Sequence, residues 1–155
     1  MVDRKLIAAV ELFSVLGPAD IDQLWAAGDD RMIAAGEELF AYGSDAEELY
    51  IISSGRFAIS APAPGSGPGG EEAVLAEVGR GEVLGEMPLF DGLGRSAGAT
   101  ALEDSEVIAL PFNRVKRLFL AHPDALWEVL ALVVRRMRAL DEATAERLLA
   151  PTKAD

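Results

Sequence analysis

Residues 48–60 read ELYIISSGRFAIS, two short apolar runs separated by Ser54 and Gly55. Short apolar runs that end at a glycine are typical of buried strands rather than of helices. The same rhythm extends from Arg31 to Pro111, where glycines recur at short intervals between apolar segments. The region 31–111 is therefore predicted to form many short strands that close into a β-barrel or sandwich.

The segments on either side of this region carry helical periodicity instead. Apolar residues within 1–30 predict short amphipathic helices, and Pro18 suits the first turn of the second one. Beyond Pro111 the spacing predicts a helix that breaks at His122-Pro123, then a long helix from about Asp124 to Leu149. We therefore expect an α+β fold in a single domain, 1–155. An antiparallel jelly-roll barrel would lie between the N-terminal helices (1–30) and the C-terminal helices (112–150).

The segment 61–70 is a predicted connection between two of these strands. It holds three prolines and four glycines in ten residues. Such a composition favours a flexible hairpin loop. We assign no function to it.

Composition excludes several classes of function. The net charge of −12 opposes binding to DNA or RNA, which depends on clustered Lys and Arg. The absence of cysteine excludes disulfides and thiolate chemistry, and it fits a reducing compartment. No apolar run reaches the length of about 18 residues needed to cross a membrane. We expect a cytoplasmic protein without membrane contact.

Enzymatic activity is the first alternative, since jelly-roll enzymes of the cupin type also fit this strand pattern. Those enzymes usually hold a metal with several histidines, and this chain has only His122. The sequence also presents no pair of nucleophile and base. We therefore expect no catalytic residue, no metal site and no catalytic cofactor.

The segment 81–100, GEVLGEMPLFDGLGRSAGAT, holds residues suited to a sugar phosphate. Gly85 precedes a short helix start, whose free amide N–H groups favour an anion. Arg95 can return to the same place on the next strand, where its planar fork would hold two phosphate oxygens. Ser96 adds a hydroxyl donor, and Glu86 is an acceptor suited to a sugar hydroxyl. A ribose beside a phosphate meets these demands.

At these residues the chain resembles the cyclic-nucleotide-binding domain family, in its catabolite-activator type. The resemblance covers nearly the whole chain and is carried by five motifs: Leu12-Phe13, Ala35-Gly36-Glu37, LYIISSGR at 49–56, Gly85-Glu86-Met87 and Arg95-Ser96-Ala97. It implies a non-catalytic sensor whose ligand is cyclic AMP or cyclic GMP, held by a phosphate-binding cassette at 85–97.

The resemblance also implies roles for single residues. Arg95 and Ser96 would bind the cyclic phosphate and Glu86 the ribose 2′-hydroxyl, while Arg136 on the long helix would brace Glu86. The other residues implied at the site are Gly85, Met87, Ala97, Ile59, Leu75 and Val83.

Three departures from the family pattern bear on ligand binding. Gly94 replaces a proline that often precedes the arginine, and Gly98 and Ala99 replace β-branched residues. Because glycine and alanine are poor strand formers, we expect a loose cassette edge. Leu140 stands near the position where the family's catabolite activator has a threonine that binds adenine. The resemblance therefore does not predict which base the ligand carries. The alternative function is a protein-interaction module with a degenerate fold that has lost the nucleotide.

The long helix suggests how a signal would leave the domain. It carries a second apolar stripe that one barrel would not cover, which predicts a homodimer through this helix. The family's transcription factors continue into a helix-turn-helix domain, whereas this chain stops at Asp155. We therefore expect the C-terminal helix to signal to an unidentified protein partner rather than to a promoter.

Overall fold

The computed structural model describes residues 4–67 and 69–149. The elements follow in chain order: α1 (Arg4–Ala8), a 3-10 turn (Glu11–Phe13), α2 (Pro18–Ala27), β1 (Asp29–Ile33), β2 (Glu38–Phe40), β3 (Glu48–Ser54), β4 (Arg56–Pro62), β5 (Glu72–Gly79), β6 (Val83–Leu84), α3 (Met87–Asp91), β7 (Gly98–Ala101), β8 (Ser105–Pro111), α4 (Phe112–Ala121) and α5 (Pro123–Leu149). This order confirms the predicted α+β fold.

The chain forms two compact units that divide between Leu118 and Phe119. The assignment of 1–155 to one domain stays a prediction.

The strands of the first unit form two antiparallel sheets. Their orders are β1-β8-β3-β6 and β2-β7-β4-β5. The two runs of residues 48–60 are therefore neighbours in sequence that lie in different sheets. The chain passes between the sheets at Gly55, where φ is +93° and a Cβ atom would lie 2.0 Å from Ser105 Oγ. Only glycine fits this crossing.

Buried residues from both sheets form the core of the first unit. They are Ile33, Tyr50, Ile52, Phe57, Leu84, Ala99, Ala101, Val107 and Ala109. Strand β3 also buries Leu49 and Ile51, the residues that alternate with Tyr50 and Ile52. A strand covered on both faces needs no polar alternation, which explains why residues 49–52 are all apolar.

The predicted hairpin is confirmed. Strands β4 and β5 pair from Arg56 opposite Gly79 to Pro62 opposite Glu72. The Pro-Gly-rich segment provides the connection at the end of that pair.

The second unit is mostly the long helix α5. The peptide N–H groups of Ala125 and Leu126 both donate to the carbonyl of His122, so the break at His122-Pro123 starts a new helix. Trp127, Met137 and Leu140 on α5 are exposed. No helix within 4–67 and 69–149 combines the length and hydropathy that a membrane span requires.

Candidate ligand-binding site

A cavity of about 200 Å³ opens beside the segment 85–97 of the first unit. It is lined by Phe40, Ile59, Val78, Val83, Leu84, Gly85, Glu86, Met87, Pro88, Arg95, Ser96 and Ala97. The structure thus brings together eight of the residues proposed from the sequence. Leu75 is not among them: it is 61% exposed, and Val78 of the same strand lines the cavity.

The local fold of the segment 85–97 is a turn, a short helix and a loop. Gly85 follows β6 with a φ of +75°, and α3 then begins at Met87 with Pro88 in its first turn. Helix α3 ends at Asp91 and is followed by Gly92, whose φ is +68°. Arg95 lies in the loop before β7 and not on a strand, which corrects the sequence-based placement. Pro88 suits the first turn of α3, because a backbone N–H at that point of a helix would have no partner within the helix.

The main chain of Arg95 is fixed on both sides by a neighbouring loop. Its N–H donates to the Ser44 carbonyl at 2.8 Å, and its carbonyl accepts from the Gly43 N–H at 2.8 Å. Two backbone bonds to one loop define where the side chain enters the cavity.

The Arg95 side chain is buried, with only 4% of its surface exposed. Its Nη1 donates to the Gly85 carbonyl at 2.9 Å and its Nη2 to the Glu48 carbonyl at 2.8 Å. The guanidinium carbon lies 4.3 Å from the ring centre of Phe40 and 5.6 Å from that of Tyr50. Nε is buried without a hydrogen-bond partner among the described residues.

Among the described residues, no carboxylate contacts the Arg95 guanidinium directly. Both hydrogen-bond acceptors of the guanidinium are neutral carbonyls, and burial lowers the pKa of Arg95. A buried charge with an open donor is unfavourable until an opposite charge approaches it. The site is therefore suited to an anion that reaches Arg95 through the cavity.

Gly85 makes the position of Arg95 possible. A Cβ atom on Gly85 would lie 2.2 Å from Arg95 Nη1, far inside van der Waals contact, and the positive φ also favours glycine. The Arg95 side chain can therefore occupy this place only while residue 85 is a glycine. The sequence spacing indicated this pair, but not that the arginine folds back onto the glycine carbonyl.

The other polar residues lie at the rim of the cavity. Glu86 is half-buried at the N-terminus of α3, and Ser96 is exposed. Ser96 Oγ lies 3.2 Å from the sulfur of Met87, a weak acceptor that a better one can replace. Glu86 and Ser96 thus flank Arg95 with an acceptor and a donor.

The strand at the cassette edge is paired on both sides, although Gly98 and Ala99 predicted a loose edge. Strand β7 pairs with β2 on one side and with β4 on the other. A Cβ atom on Gly98 would lie 3.3 Å from the Tyr42 nitrogen, and one on Gly94 would lie 2.9 Å from the Gly43 oxygen. These glycines permit close backbone packing, which strand propensity does not measure.

Four contributors were missed from the sequence: Phe40, Val78, Leu84 and Glu48. Phe40 shields the guanidinium, Val78 lines the cavity, and Glu48 contributes its main-chain carbonyl. No sequence signal marks a carbonyl as an acceptor, whereas the apolar positions of β2 could have suggested Phe40. Arg136 and Leu140 lie on α5 in the second unit, and their roles stay predictions.

Comparison with known proteins agrees with this geometry. Residues 30–122 match the family described as "Cyclic nucleotide-binding domain". The cyclic AMP receptor protein of Thermus thermophilus is 34% identical over 130 residues, which cover 84% of this chain and 58% of that protein. An NTE family protein of Mycobacterium bovis is 27% identical over 149 residues, covering 94% of this chain and 24% of its own length.

A solved structure extends the likeness over the whole chain. The N-terminal domain of a transcriptional regulator from Streptomyces coelicolor A3(2) has 27% sequence identity and a TM-score of 0.71. The match covers 99% of this chain and 100% of that one. With the family match over 30–122, the chain belongs to the cyclic nucleotide-binding domain family.

Proposed function

We propose that the cavity binds a 3′,5′-cyclic mononucleotide, with its phosphate against Arg95. The observation that carries this proposal is the buried guanidinium beside the cavity, whose Nε–H has no hydrogen-bond partner in the part of the chain that the structure describes. A phosphate oxygen would accept from that N–H and would neutralise the buried charge. The hydroxyl of Ser96 is placed to donate to a second oxygen.

The charge of the site favours a cyclic phosphate over a terminal one. A cyclic phosphodiester carries one negative charge, which a single guanidinium matches, whereas an open monophosphate carries nearly two. The chain as a whole has a net charge of −12, which opposes any further negative charge on the ligand. Glu86 at the rim would accept a hydrogen bond from the ribose 2′-hydroxyl.

Cyclic AMP is the first ligand to test, and cyclic GMP the second. The relative from Thermus thermophilus is a cyclic AMP receptor, but that name belongs to a protein of which this chain spans 58%. The walls formed by Ile59, Val78 and Val83 are apolar and provide contact for the remainder of a nucleotide.

Calorimetric titration of the protein tests this function. We expect saturable binding of cyclic AMP or cyclic GMP and at least about tenfold weaker binding of adenosine 5′-monophosphate, a difference of roughly 1.4 kcal/mol. Absence of binding by both cyclic nucleotides at millimolar concentration would contradict the proposal. That result would favour an interaction module that has lost its ligand.

We further propose a regulatory role in the cytoplasm, with α5 as the output to a protein partner. Ligand shifts a conformational equilibrium only by its differential affinity for the two states, typically about 1–3 kcal/mol between coupled sites. Hydrogen exchange with and without nucleotide should therefore change along 126–149 as well as along 85–97. A response confined to 85–97 would mean that the domain binds without switching.

The exposed apolar residues of α5 support the proposed homodimer, and sedimentation tests it. A particle of 16.4 kDa at high micromolar concentration would contradict it.

A further inference from the structure

The carboxylate of Glu48 is held by two side chains at the edge of the Arg95 site. Both terminal nitrogens of Arg31 contact it, Nη1 at Oε1 and Nη2 at Oε2, the latter at 3.0 Å. Tyr50 Oη donates to Oε1 at 2.7 Å. These bonds outweigh the effect of burial and leave the pKa of Glu48 below its usual value.

Glu48 and Arg95 are close, yet they form no ion pair within the described part of the chain. The Glu48 main-chain carbonyl accepts from Arg95 Nη2 at 2.8 Å, while the carboxylate of the same residue pairs with Arg31. The Glu48 side chain is only 24% exposed. A partly buried carboxylate is stabilised by a nearby positive charge. Arg31 and Arg95 both supply such a charge and lower the pKa of Glu48.

We propose that Arg31 is a positioning residue that keeps the Glu48 carboxylate away from Arg95, so that the guanidinium stays available to a ligand anion. This inference rests on the proposed function, since it concerns the same site. Arg31 lies on the edge strand β1, across β8 from β3, and has no atom in the lining of the cavity. It therefore acts through Glu48.

The physical reason is competition between two anions for one cation. Without Arg31, the partly buried carboxylate keeps only the Tyr50 hydroxyl and turns to the remaining cation, Arg95. An ion pair between Glu48 and Arg95 would then have to break before a phosphate could bind. Charge-assisted bonds to a guanidinium are strong enough for this competition to lower affinity.

A double-mutant cycle on nucleotide affinity tests the proposal. Arg31→Gln should weaken the binding of cyclic AMP by roughly tenfold. Glu48→Gln keeps the main-chain carbonyl that accepts from Arg95, and its effect on affinity should be smaller than that of Arg31→Gln. The double variant Arg31→Gln/Glu48→Gln should recover affinity to within about threefold of the unchanged protein. Arg56→Gln is the matched control, because Arg56 pairs with Glu77 in an exposed ion pair and does not line the cavity.

Three results would overturn the proposal. The first is unchanged affinity in Arg31→Gln. The second is loss that Glu48→Gln does not restore, as for a purely structural role. The third is a gain of nucleotide affinity in Glu48→Gln that equals the loss of affinity in Arg31→Gln. The charges of Glu48 and Arg31 would then act on the ligand independently, and the double-mutant cycle would show no coupling between them. If Arg31→Gln does not fold, Tyr50→Phe with and without Glu48→Gln replaces it, with a smaller rescued loss expected.

A measurement without nucleotide separates this inference from the proposed function. The NMR signal of the Arg95 Nε–H in the ligand-free protein should shift in Arg31→Gln and return in the double variant. Wild-type protein that binds no cyclic nucleotide would refute the function. An Arg95 signal that stays unchanged in Arg31→Gln would refute the positioning role.

Discussion

Two glycine-rich segments of the first unit contain glycines with different surroundings. In the loop between β4 and β5, a Cβ atom on Gly65, Gly67 or Gly69 would meet nothing within 4 Å, and only one on Gly70 would be crowded, by Ser66. In the segment 85–97, a Cβ atom on Gly85 would collide with Arg95 and one on Gly94 would press on a backbone carbonyl, whereas Gly92 is open. Glycine content alone therefore does not distinguish a loose connection from a tightly packed site.

The difference lies in what approaches each glycine. Gly65 and Gly69 have positive φ angles, which allow the chain to turn in the hairpin loop. Gly85 combines a positive φ with the close approach of a buried guanidinium. Substitutions at or beside Gly85 should therefore change ligand affinity more than substitutions in the open hairpin loop.

Arg95→Ala should have the largest effect. It removes the proposed charge-assisted contact to phosphate, at a cost of roughly 2–5 kcal/mol, or about 30-fold to a few thousand-fold in affinity. Calorimetry with cyclic AMP measures it, and Arg56→Ala on the exposed ion pair is the control. An unchanged dissociation constant in a folded Arg95→Ala protein would place any ligand elsewhere.

Gly85→Ala should come next, because the added methyl group displaces the Arg95 side chain and also strains the backbone. We expect a loss of roughly 1–3 kcal/mol in stability and at least about tenfold in affinity. Thermal unfolding and calorimetry measure the two effects. Gly65→Ala is the matched control, since its φ of +81° is similarly positive while its surroundings are open. Equal effects at both positions would remove the contrast between the segments.

Gly94→Ala should have an intermediate effect. Its methyl group would lie 2.9 Å from the Gly43 oxygen, so the loop that fixes the Arg95 main chain must move. We expect about 1 kcal/mol of lost stability, as for typical single substitutions, with a smaller loss of affinity than in Gly85→Ala. A variant as stable as the wild type would show that the loop at 43–44 adapts freely.

Ser96→Ala should have the smallest effect. It removes one neutral donor, a change of roughly 0.5–1.5 kcal/mol or about two- to tenfold in affinity. Because Ser96 is exposed, the melting temperature should stay the same. Full affinity in this variant would exclude the hydroxyl from phosphate binding.

The sequence was sufficient for the barrel, the hairpin and the long helix, since apolar periodicity reports burial directly. It also indicated Gly85, Glu86, Arg95 and Ser96, which line one cavity, while their roles toward a ligand stay predictions. It did not reveal that Arg95 is buried, because the acceptors are carbonyls of Gly85 and Glu48 that only the folded chain brings near.

The error at Leu75 has an equally local cause. The register between β4 and β5 shifts after Ile59, so that Ile59 lies opposite Ala76 and Ser60 opposite Val74. Leu75 is the extra residue of this bulge. A bulge interrupts the alternation from which side-chain direction is inferred, and no residue type near it announces the shift.

The passage of the chain between sheets at Gly55 has a consequence for biosynthesis. Strand β3 does not pair with the strand that follows it. It pairs with β6 at Tyr50 and Ile51 and with β8 along most of its length, so that Glu48 lies opposite Pro111. Distant pairing of this kind slows folding, on the order of milliseconds to seconds for barrels and sandwiches. On a ribosome, the sheet that contains β3 cannot be completed before β8 has emerged. Glu48, whose carbonyl holds Arg95, is thus set in place only after nearly the whole barrel has been translated.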